Sequence, residues 1–335
     1  MAVTARKNQP VFVIGCHRSG TALLYDSLLS AGGFPLYHAA PFLHSTLLPM
    51  SGDLSVPRNR ERMKQIWLRS KPFRRTGLDP REHGSRILQE CKSGGDFLRI
   101  TLGELARREG VSRWASYDID NIMHMPAVKR EVPDALFVHV VRDGRDVALS
   151  MKKQHEADGL WWAQDRALFA WALLWQWTVR KGRRCGSRFP DDYLEVRYEE
   201  LVREPEKTLH TVGEFLDHDL DYERIQKNSL GRVASPNTVW KEESSPETFH
   251  SIDRWKNKLL PSEIAALEGL IGDSLEEFGY SLSGERRGSA PFDSRLALMR
   301  ILYPRYFETK LFVKSKTVLG RLLVNGERLE LTDPV

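Results

Sequence analysis

Residues 15–21 form a loop, GCHRSGT, whose backbone could bind an anion. Its two glycines allow a tight turn, so several N–H groups can face one phosphate at the start of the following helix. ATP-binding loops of this layout carry a lysine after the second glycine and then a hydroxyl that binds Mg²⁺. Here Thr21 takes the lysine position and Arg18 is the nearby cation, which suits a phosphosulfate better than ATP with its metal. The alternative is a strand-to-helix turn whose polar residues only cap the helix.

A second loop, at residues 141–150 (VRDGRDVALS), places Arg142 at the end of an apolar run and Ser150 in the helical pattern that follows. A guanidinium and a hydroxyl that meet there could hold a phosphate separate from the first. Taken alone, an RDGRD turn is more often a solvated corner linked by ion pairs. Together with residues 15–21, it indicates a ligand that carries phosphate groups at two places.

Three short β-branched runs predict buried strands, at residues 11–14 (VFVI), 135–141 (ALFVHVV) and 193–197 (YLEVR). The first two each lead into a polar turn and then a helical pattern, and this repeated order is typical of a parallel sheet with crossover helices. The predicted fold class is therefore α/β: a P-loop-type parallel sheet flanked by helices, with a helical extension at the C-terminus. In such sheets the site lies beyond the carboxyl ends of the strands, where both loops stand.

Changes in composition along the chain predict one main domain and a tail. The α/β domain should span residues 10–282 and close with an amphipathic helix at 263–278. Within it, residues 49–95 are rich in Pro, Gly, Arg and Ser, look irregular, and could form a lid on the acceptor side. Residues 283–291 (SGERRGSAP) are typical of a linker, and residues 292–335 form a basic amphipathic extension.

Composition excludes several classes of protein. The 335 residues are 41% hydrophobic with a net charge of +5, which fits a sizeable core but does not distinguish an anion binder from an ordinary basic protein. Cys16, Cys91 and Cys185 stand far apart, which argues against a disulfide framework. The histidines show no metal-binding spacing, and neither a metal nor a nucleic-acid partner is expected. With no secretory pattern and no apolar run long enough to span a membrane, we expect a cytoplasmic protein.

The stretches GCHRSGT, VVRDGRDVALS and EVRYEELVREPEKTL, in this order and at these separations, resemble the PAPS-dependent sulfotransferase superfamily, PAPS being 3′-phosphoadenosine 5′-phosphosulfate. The nearest branch is that of the tyrosylprotein sulfotransferases and related bacterial enzymes. The resemblance covers roughly residues 10–280, and the motif stretches carry nearly all of it. It implies transfer of a sulfuryl group from PAPS to a hydroxyl without a metal.

The resemblance also implies which residues bind PAPS. The 5′-phosphosulfate would be held by Arg18, Ser19, Gly20, Thr21 and Ala22, and the 3′-phosphate by Arg142 and Ser150. Tyr198 would lie near the nucleotide, Ser235 would contact the phosphosulfate, and Arg254 would reach the nucleotide. For the last two the spacing is stretched relative to the family. Ser235 could equally be a turn residue, and Arg254 a surface charge beside a core tryptophan.

Catalysis would need a base for the acceptor hydroxyl and groups that stabilise the leaving phosphate. We expect Arg18 and the amides at the helix N-terminus to stabilise that phosphate, with Ser235 in contact with the phosphosulfate. The family places a carboxylate or a histidine near the end of the first helix or on a later loop, and His38 fits the first of these places. The other candidates are His44, His124, Asp118 and Asp120. For each histidine, ordinary packing is the alternative.

One position departs from the family pattern. Many members carry a lysine that assists the leaving group in the segment where this chain has Tyr117 followed by Asp118. Lys241 or Lys256 could supply the charge instead. The departure leaves open a different acceptor geometry, or a homologue that binds the nucleotide without catalysis.

We therefore expect an enzyme that transfers a sulfuryl group from PAPS to a hydroxyl of a small-molecule acceptor. The alternatives are a non-catalytic nucleotide-binding homologue and a P-loop kinase, against which the missing lysine argues. The aromatic-rich residues 161–177 are more typical of a buried helix than of an acceptor pocket. The extension at 292–335 could lie on an anionic membrane, but docking on the core or on a second subunit of a homo-oligomer is the commoner use of such a segment.

Overall fold

A parallel β-sheet with helices on both faces organises the chain. The computed structural model describes residues 6–157, 167–235, 251–284, 294–317, 320, 324 and 326–332. Within these ranges the strands are β1 (Val11–Gly15), β2 (Ala115–Ser116), β3 (Leu136–Val141) and β4 (Tyr193–Arg197). They are all parallel and lie in the order β2-β1-β3-β4. The three strands predicted from the sequence are confirmed, whereas β2 is too short to leave a periodic signal.

The pairing of β1 with β3 decides where the two polar loops lie. Gly15, the last residue of β1, pairs with Val140 near the end of β3. Parallel strands end at the same edge of a sheet. The loop after β1 and the loop after β3 therefore leave that edge side by side, at the place where ligands bind to such sheets.

Alternate residues of β1 face opposite layers of helices. Val11 and Val13 pack in one buried cluster with Leu24 of the helix that follows β1. Phe12 and Ile14 pack in another buried cluster, together with side chains from the helices that precede β3. Both faces of the strand are thus covered, which explains why the run VFVI has no polar position.

The helices fall into two groups, before and after β3. Those before it are α1 (Thr21–Ala31), α2 (Leu48–Ser51), α3 (Pro57–Leu68), α4 (Lys71–Arg74), α5 (Pro80–Glu90), α6 (Gly94–Leu98), α7 (Glu104–Arg108) and α8 (Asn121–Glu131). Those after it are α9 (Gly144–Ala157), α10 (Ala167–Gly186), α11 (Tyr198–Arg203), α12 (Pro205–Leu216), α13 (Tyr222–Asn228), α14 (Arg254–Lys258), α15 (Pro261–Glu277) and α16 (Ser294–Lys316). The position of α15 confirms the amphipathic helix predicted at 263–278.

The segment at residues 49–95 is mostly helical, so the interpretation of it as irregular is wrong. In α3, α4 and α5 a proline lies in the first turn. Proline is tolerated there because the first N–H groups of a helix have no partner within the helix. Ser70 and Asp79 accept backbone N–H bonds from the first turns of α4 and α5. The Pro and Ser residues that suggested a loop are therefore signals for helix starts. A lid role for this segment stays a prediction.

Part of the C-terminal extension packs on the core, as the docking alternative predicts. The helix α16 lies against α10, where the rings of Phe307 and Trp177 are 5.3 Å apart and the Trp177 indole donates a hydrogen bond to Glu308 at 2.9 Å. Farther along the chain, Arg328 forms an ion pair with Asp120. Among the helices that the structure describes, none has both the length and the apolar character needed to cross a membrane.

A buried ion-pair network holds the loop after β3 to α15. The Arg145 guanidinium lies 2.7 Å from Asp143 and 2.5 Å from Glu268, and the side chains of Arg145 and Glu268 are 2% and 0% exposed. Glu268 also accepts the backbone N–H and the hydroxyl of Ser283, each at 2.9 Å. The second arginine of RDGRD thus has a structural use, and its neighbour Arg142 is the one that faces the site described below.

We expect Glu268→Gln to lower the free energy of unfolding by about 3 kcal/mol, because it removes one charge from a buried ion pair and leaves Arg145 undercompensated. Urea denaturation followed by circular dichroism measures the change. The matched control is Glu276→Gln, the same substitution at an exposed position of α15, which should alter stability by less than about 0.5 kcal/mol. If both variants lost a similar amount of unfolding free energy, the network would not be what stabilises this contact.

Candidate functional site

The loop between β1 and α1 has the backbone of an anion-binding turn. Arg18 and Gly20 have positive φ angles of 64° and 90°, which let successive N–H groups turn toward one side. The helix α1 begins at Thr21, and no side chain among the described residues caps this end. Its N-terminal amides can therefore serve a negatively charged ligand.

Two glycines let this loop lie close to its neighbours. A Cβ atom on Gly15 would stand 2.6 Å from the carbonyl oxygen of Val140, and one on Gly20 would stand 2.2 Å from the ring of Tyr198. Neither position has room for a side chain, and Gly20 also needs its left-handed backbone conformation. The Tyr198 ring therefore packs directly on the loop.

The two polar loops meet at one point. The Arg18 Nε atom donates a hydrogen bond to Ser150 Oγ on α9 at 3.1 Å. Arg142 donates to the carbonyl oxygen of Arg18 at 2.8 Å, and its guanidinium lies 4.7 Å from the centroid of the Tyr198 ring. The structure thus brings together four of the residues that the sequence predicts as cofactor ligands, although they come from four different elements.

A helix cap brings Arg254 to the same place. The Asp146 carboxylate accepts the backbone N–H groups of Asp253 at 2.9 Å and of Trp255 at 3.0 Å, which holds the start of α14 against the loop after β3. Burial raises the pKa of Asp146 to about 6. Arg254 is 8% exposed, and its charge interacts with that of Arg18.

These side chains create a buried cluster of positive charge. Burial, and after it repulsion from Arg142, Arg232 and Arg254, lowers the pKa of Arg18 to about 10. The hydroxyl of Ser19 and the Nε atom of Arg142 are buried and have no hydrogen-bond partner among the residues that the structure describes. A phosphate group would accept hydrogen bonds from such donors and compensate the charge. The residues therefore fit a ligand that carries phosphates, as PAPS does.

A cavity of about 730 Å³, here called the first cavity, opens at this cluster. The loop after β1 and Arg142 line it, and Leu201, Leu209 and Ile225 add an apolar wall. Its size and mixed lining suit a nucleotide. Four further lining residues are cations from three separate parts of the chain: Lys71, Arg75, Arg232 and Arg328.

A second cavity, of about 640 Å³, adjoins the first. Three residues line both cavities: His17, Ile119 and Arg328. The aromatic-rich segment contributes in two ways, since Trp175 is fully buried in the core whereas Trp171 and Trp177 line the second cavity. Trp161 and Trp162 lie outside the described residues.

His38, the predicted base, is next to Ala39, and Ser235 comes two residues after Val233, and both of these neighbours line the first cavity. The His38 side chain is 47% exposed and lies 3.3 Å from Asp26. Ser235 is exposed at the end of a described range. Neither residue is part of the lining of the first or second cavity. The catalytic role of His38 and the cofactor contact of Ser235 stay predictions.

The other candidate bases lie beside the second cavity or behind it. His44 lies 3.4 Å from Glu131, and its ring stacks on that of His124 with 5.7 Å between centroids. Burial, and then the charge of His44, lowers the pKa of His124 to about 3, so this imidazole is a weak proton acceptor at neutral pH. Asp118 is buried, and its pKa is raised by burial and by the neighbouring Asp120.

Asp120 lines the second cavity and forms an ion pair with Arg328. Burial alone would raise the pKa of Asp120, but the charge of Arg328 and then the interactions with His17 and Ser45 outweigh burial and lower it. Asp120 is therefore ionised at neutral pH and can orient neighbouring donors.

His17 and the four cations Lys71, Arg75, Arg232 and Arg328 are functional candidates that the sequence did not reveal. For Lys71 and Arg75 the sequence gives a partial indication, because both belong to the basic run KPFRR at residues 71–75. The others stand singly in the sequence, and only the packing of distant segments brings them to the cavities.

Tyr117 stands where the resemblance to the family leads us to expect a lysine. Its ring lies 4.5 Å from that of Tyr25 and lines the first cavity. Lys256 is exposed and pairs with Asp253 at 3.2 Å, so it lies apart from the cavity lining. Lys241 lies outside the described residues. Lys71 and Arg75, which line the first cavity with Tyr117, are better placed to supply the charge.

Comparison with known proteins identifies the family. The sequence model of the sulfotransferase family matches residues 10–222, more than half of the chain. The chain belongs to the sulfotransferase family. Two proteins named "Putative protein-tyrosine sulfotransferase" also match. The one from Caenorhabditis briggsae is 25% identical over 151 residues, covering 44% of this sulfotransferase and 52% of the relative. The one from Caenorhabditis elegans is 23% identical over 212 residues, covering 57% and 76%. The chain thus spans about half the length of the first relative.

Two solved sulfotransferase domains share the fold. The domain from the Synechococcus PCC 7002 olefin synthase superposes with a TM-score of 0.55 at 21% identity, over 82% of this sulfotransferase and 97% of that chain. The domain from the curacin biosynthetic pathway gives 0.52 at 17% identity, over 81% and 98%. These likenesses show that the chain has the fold of the two domains.

Proposed function

We propose that this sulfotransferase takes its sulfuryl group from PAPS and transfers it to a hydroxyl of a small-molecule acceptor. The observation that carries the proposal is the meeting of Arg18, Arg142 and Ser150 beside the N-terminus of α1. PAPS carries phosphate at both the 3′ and the 5′ position, and two neighbouring loops supply anion-binding donors for both.

Each part of PAPS has a group of residues that could hold it. Arg142, Ser150 and Arg254 would hold the 3′-phosphate, and the amides of α1 with Arg18 and Ser19 would hold the 5′-phosphosulfate. Tyr198 and the apolar wall of the first cavity would contact the adenosine. The remaining ligands in the loop are Gly20, Thr21 and Ala22.

The reaction needs compensation of negative charge on the leaving phosphate. When bound, PAPS supplies the sulfuryl group: the acceptor oxygen bonds to sulfur, the bond from sulfur to the bridging phosphate oxygen breaks, and that oxygen keeps the electron pair. Arg18 and the α1 amides lie where they can stabilise this charge without rearrangement. Lys71 and Arg75 line the same cavity and can act in place of the lysine that Tyr117 replaces.

We propose His17 as the base. Its position between the two cavities and its electrostatic interaction with Asp120 support this role. An imidazole beside a carboxylate can accept the proton of the acceptor hydroxyl near neutral pH. The exposed His38 would have to reach the acceptor from outside the lining of both cavities.

Calorimetric titration with 3′-phosphoadenosine 5′-phosphate (PAP), beside AMP and ATP and without metal, tests the donor. We expect PAP to bind at least about tenfold more tightly than AMP or ATP, because a second phosphate adds charge-assisted hydrogen bonds. Equal binding of PAP and AMP, or tighter binding of ATP, would reject PAPS as the donor. Tight PAP binding with no sulfated product from a broad panel of alcohols and phenols would favour the non-catalytic homologue.

A further inference from the structure

The second cavity can contribute to the reaction only if it binds a molecule that the first cavity does not bind. Its volume of about 640 Å³ is in the range of sites for small organic ligands. It adjoins the first cavity, with which it shares the lining residues His17, Ile119 and Arg328, and Gly15 and Cys16 at the loop that would hold the 5′-phosphosulfate also line it. A molecule in the second cavity therefore has one end beside the group that is transferred.

The lining of the second cavity changes from polar to apolar along α16. Lys314 lies near the polar end, because its charge interacts with that of Asp120. Tyr303 lines the cavity eleven residues earlier in the same helix, about 16 Å away at the rise of an α-helix. Around the aromatic end, Phe307 packs against Trp177. The cavity thus extends along α16 from an aromatic end, where Lys310 lies over the Tyr306 ring, to a polar end near the anion-binding loop.

The outer surface of α16 carries apolar side chains among charged ones and lies beside an entrance to the second cavity. Tyr306 lines the second cavity and is at the same time 56% exposed, so the cavity reaches the surface beside it. Leu298, Ile301 and Phe312 of the same helix are 54%, 54% and 61% exposed. A lipophilic molecule would meet apolar side chains before it enters.

We infer that the second cavity is the acceptor site and that it takes a lipophilic alcohol with an elongated apolar body. The inference rests on the proposed function, because a hydroxyl at the anion-binding loop can react only if a sulfuryl donor occupies the first cavity. In the reaction the hydroxyl proton goes to His17 and the alcohol oxygen bonds to sulfur, while PAP leaves with the electron pair of the broken bond.

Filling the cavity from its α10 wall tests the inference. Ala170 and Leu174 line the cavity and are partly exposed to it, so Ala170→Trp or Leu174→Phe adds bulk there without entering the core. The matched control, Arg184→Trp, adds the same indole at an exposed position of α10. The probes are 1-decanol and 1-butanol, titrated in the presence of PAP, and PAP itself, titrated alone.

We expect the wild-type protein to bind 1-decanol on the order of 10³-fold more tightly than 1-butanol, because each buried methylene group adds to affinity. Both filled variants should weaken 1-decanol binding at least tenfold while PAP affinity stays within about twofold, and Arg184→Trp should change neither. With radiolabelled PAPS, the wild-type protein should form decyl sulfate and the filled variants should not.

The inference would be overturned if the wild-type protein did not bind 1-decanol more tightly than 1-butanol. It would also be overturned if both filled variants bound 1-decanol as tightly as the wild-type protein does. Because PAP is titrated separately, failure of the proposed function has its own signature. Absence of PAP binding to the wild-type protein would reject the donor, and with it the acceptor role, even if 1-decanol still occupied the cavity.

Discussion

Replacing Arg142 by alanine is expected to weaken PAP binding on the order of 100-fold and to leave AMP binding nearly unchanged. The reason is that the guanidinium lies at the meeting point of the two loops, with a buried Nε atom that has no hydrogen-bond partner among the described residues. A hydrogen bond between charged partners in such a site contributes about 1.5–3 kcal/mol, and Arg142 would make more than one to a 3′-phosphate. Parallel calorimetric titrations of PAP and AMP measure the difference.

The control for Arg142→Ala is Arg142→Lys, which keeps the charge but loses the planar guanidinium. We expect it to retain part of the preference for PAP, because a lysine can still attract the phosphate but cannot bond it at two atoms. Arg142 also donates to the carbonyl oxygen of Arg18, so it could act by holding the loop. Equal losses of PAP and AMP affinity in the alanine variant would point to that structural role and against 3′-phosphate recognition.

Replacing Arg18 by alanine should lower the rate of sulfuryl transfer about 10²- to 10³-fold, more than it lowers the affinity for PAP. A preorganised cation that faces the leaving phosphate stabilises the transition state more than the ground state, and removal of one such donor costs this much in other enzymes. The measurement is single-turnover formation of PAP from saturating PAPS, with 1-decanol as the acceptor probe. PAP affinity is measured in parallel by calorimetry.

Ser150→Ala is the matched comparison for Arg18→Ala. It removes the hydroxyl that accepts from Arg18 Nε but leaves both arginines in place. We expect it to weaken PAP binding by roughly tenfold with a rate at saturating PAPS close to that of the wild-type protein. If Arg18→Ala lost affinity and rate in equal proportion, a role in binding alone would explain it, and the leaving phosphate would have another stabiliser.

The chemistry of the two loops could be inferred from the sequence because it depends on local residue types. Glycines at 15 and 20 with an arginine between them predict an anion-binding turn wherever a strand precedes and a helix follows. The pairing of β1 with β3 follows almost as directly, since buried apolar runs joined by helices form parallel neighbours. Arg142 and Ser150 meet Arg18 for this reason.

Local signals were misleading at residues 49–95. Proline, serine and aspartate are abundant both in loops and in the first turns of helices, and composition alone does not distinguish the two. The tertiary structure decides, because α3 and α5 bury Trp67 and Ile87 in the core and so recover the cost of ordering these helices.

The residues that we propose as the base and as the lining of the acceptor site could not be inferred from the sequence. Arg328 pairs with Asp120 across a separation of 208 residues. The helix α16 packs on α10, although residues outside the described ranges precede α16 in the chain. Contacts of this range depend on how whole elements pack, and no periodicity or motif encodes them. The distance from the first helix predicts His38 as the base, and in the structure its side chain lies beside Asp26 and is half exposed. Residue types near the loops thus revealed the anion chemistry, whereas only the packing of distant helices created an apolar space beside it.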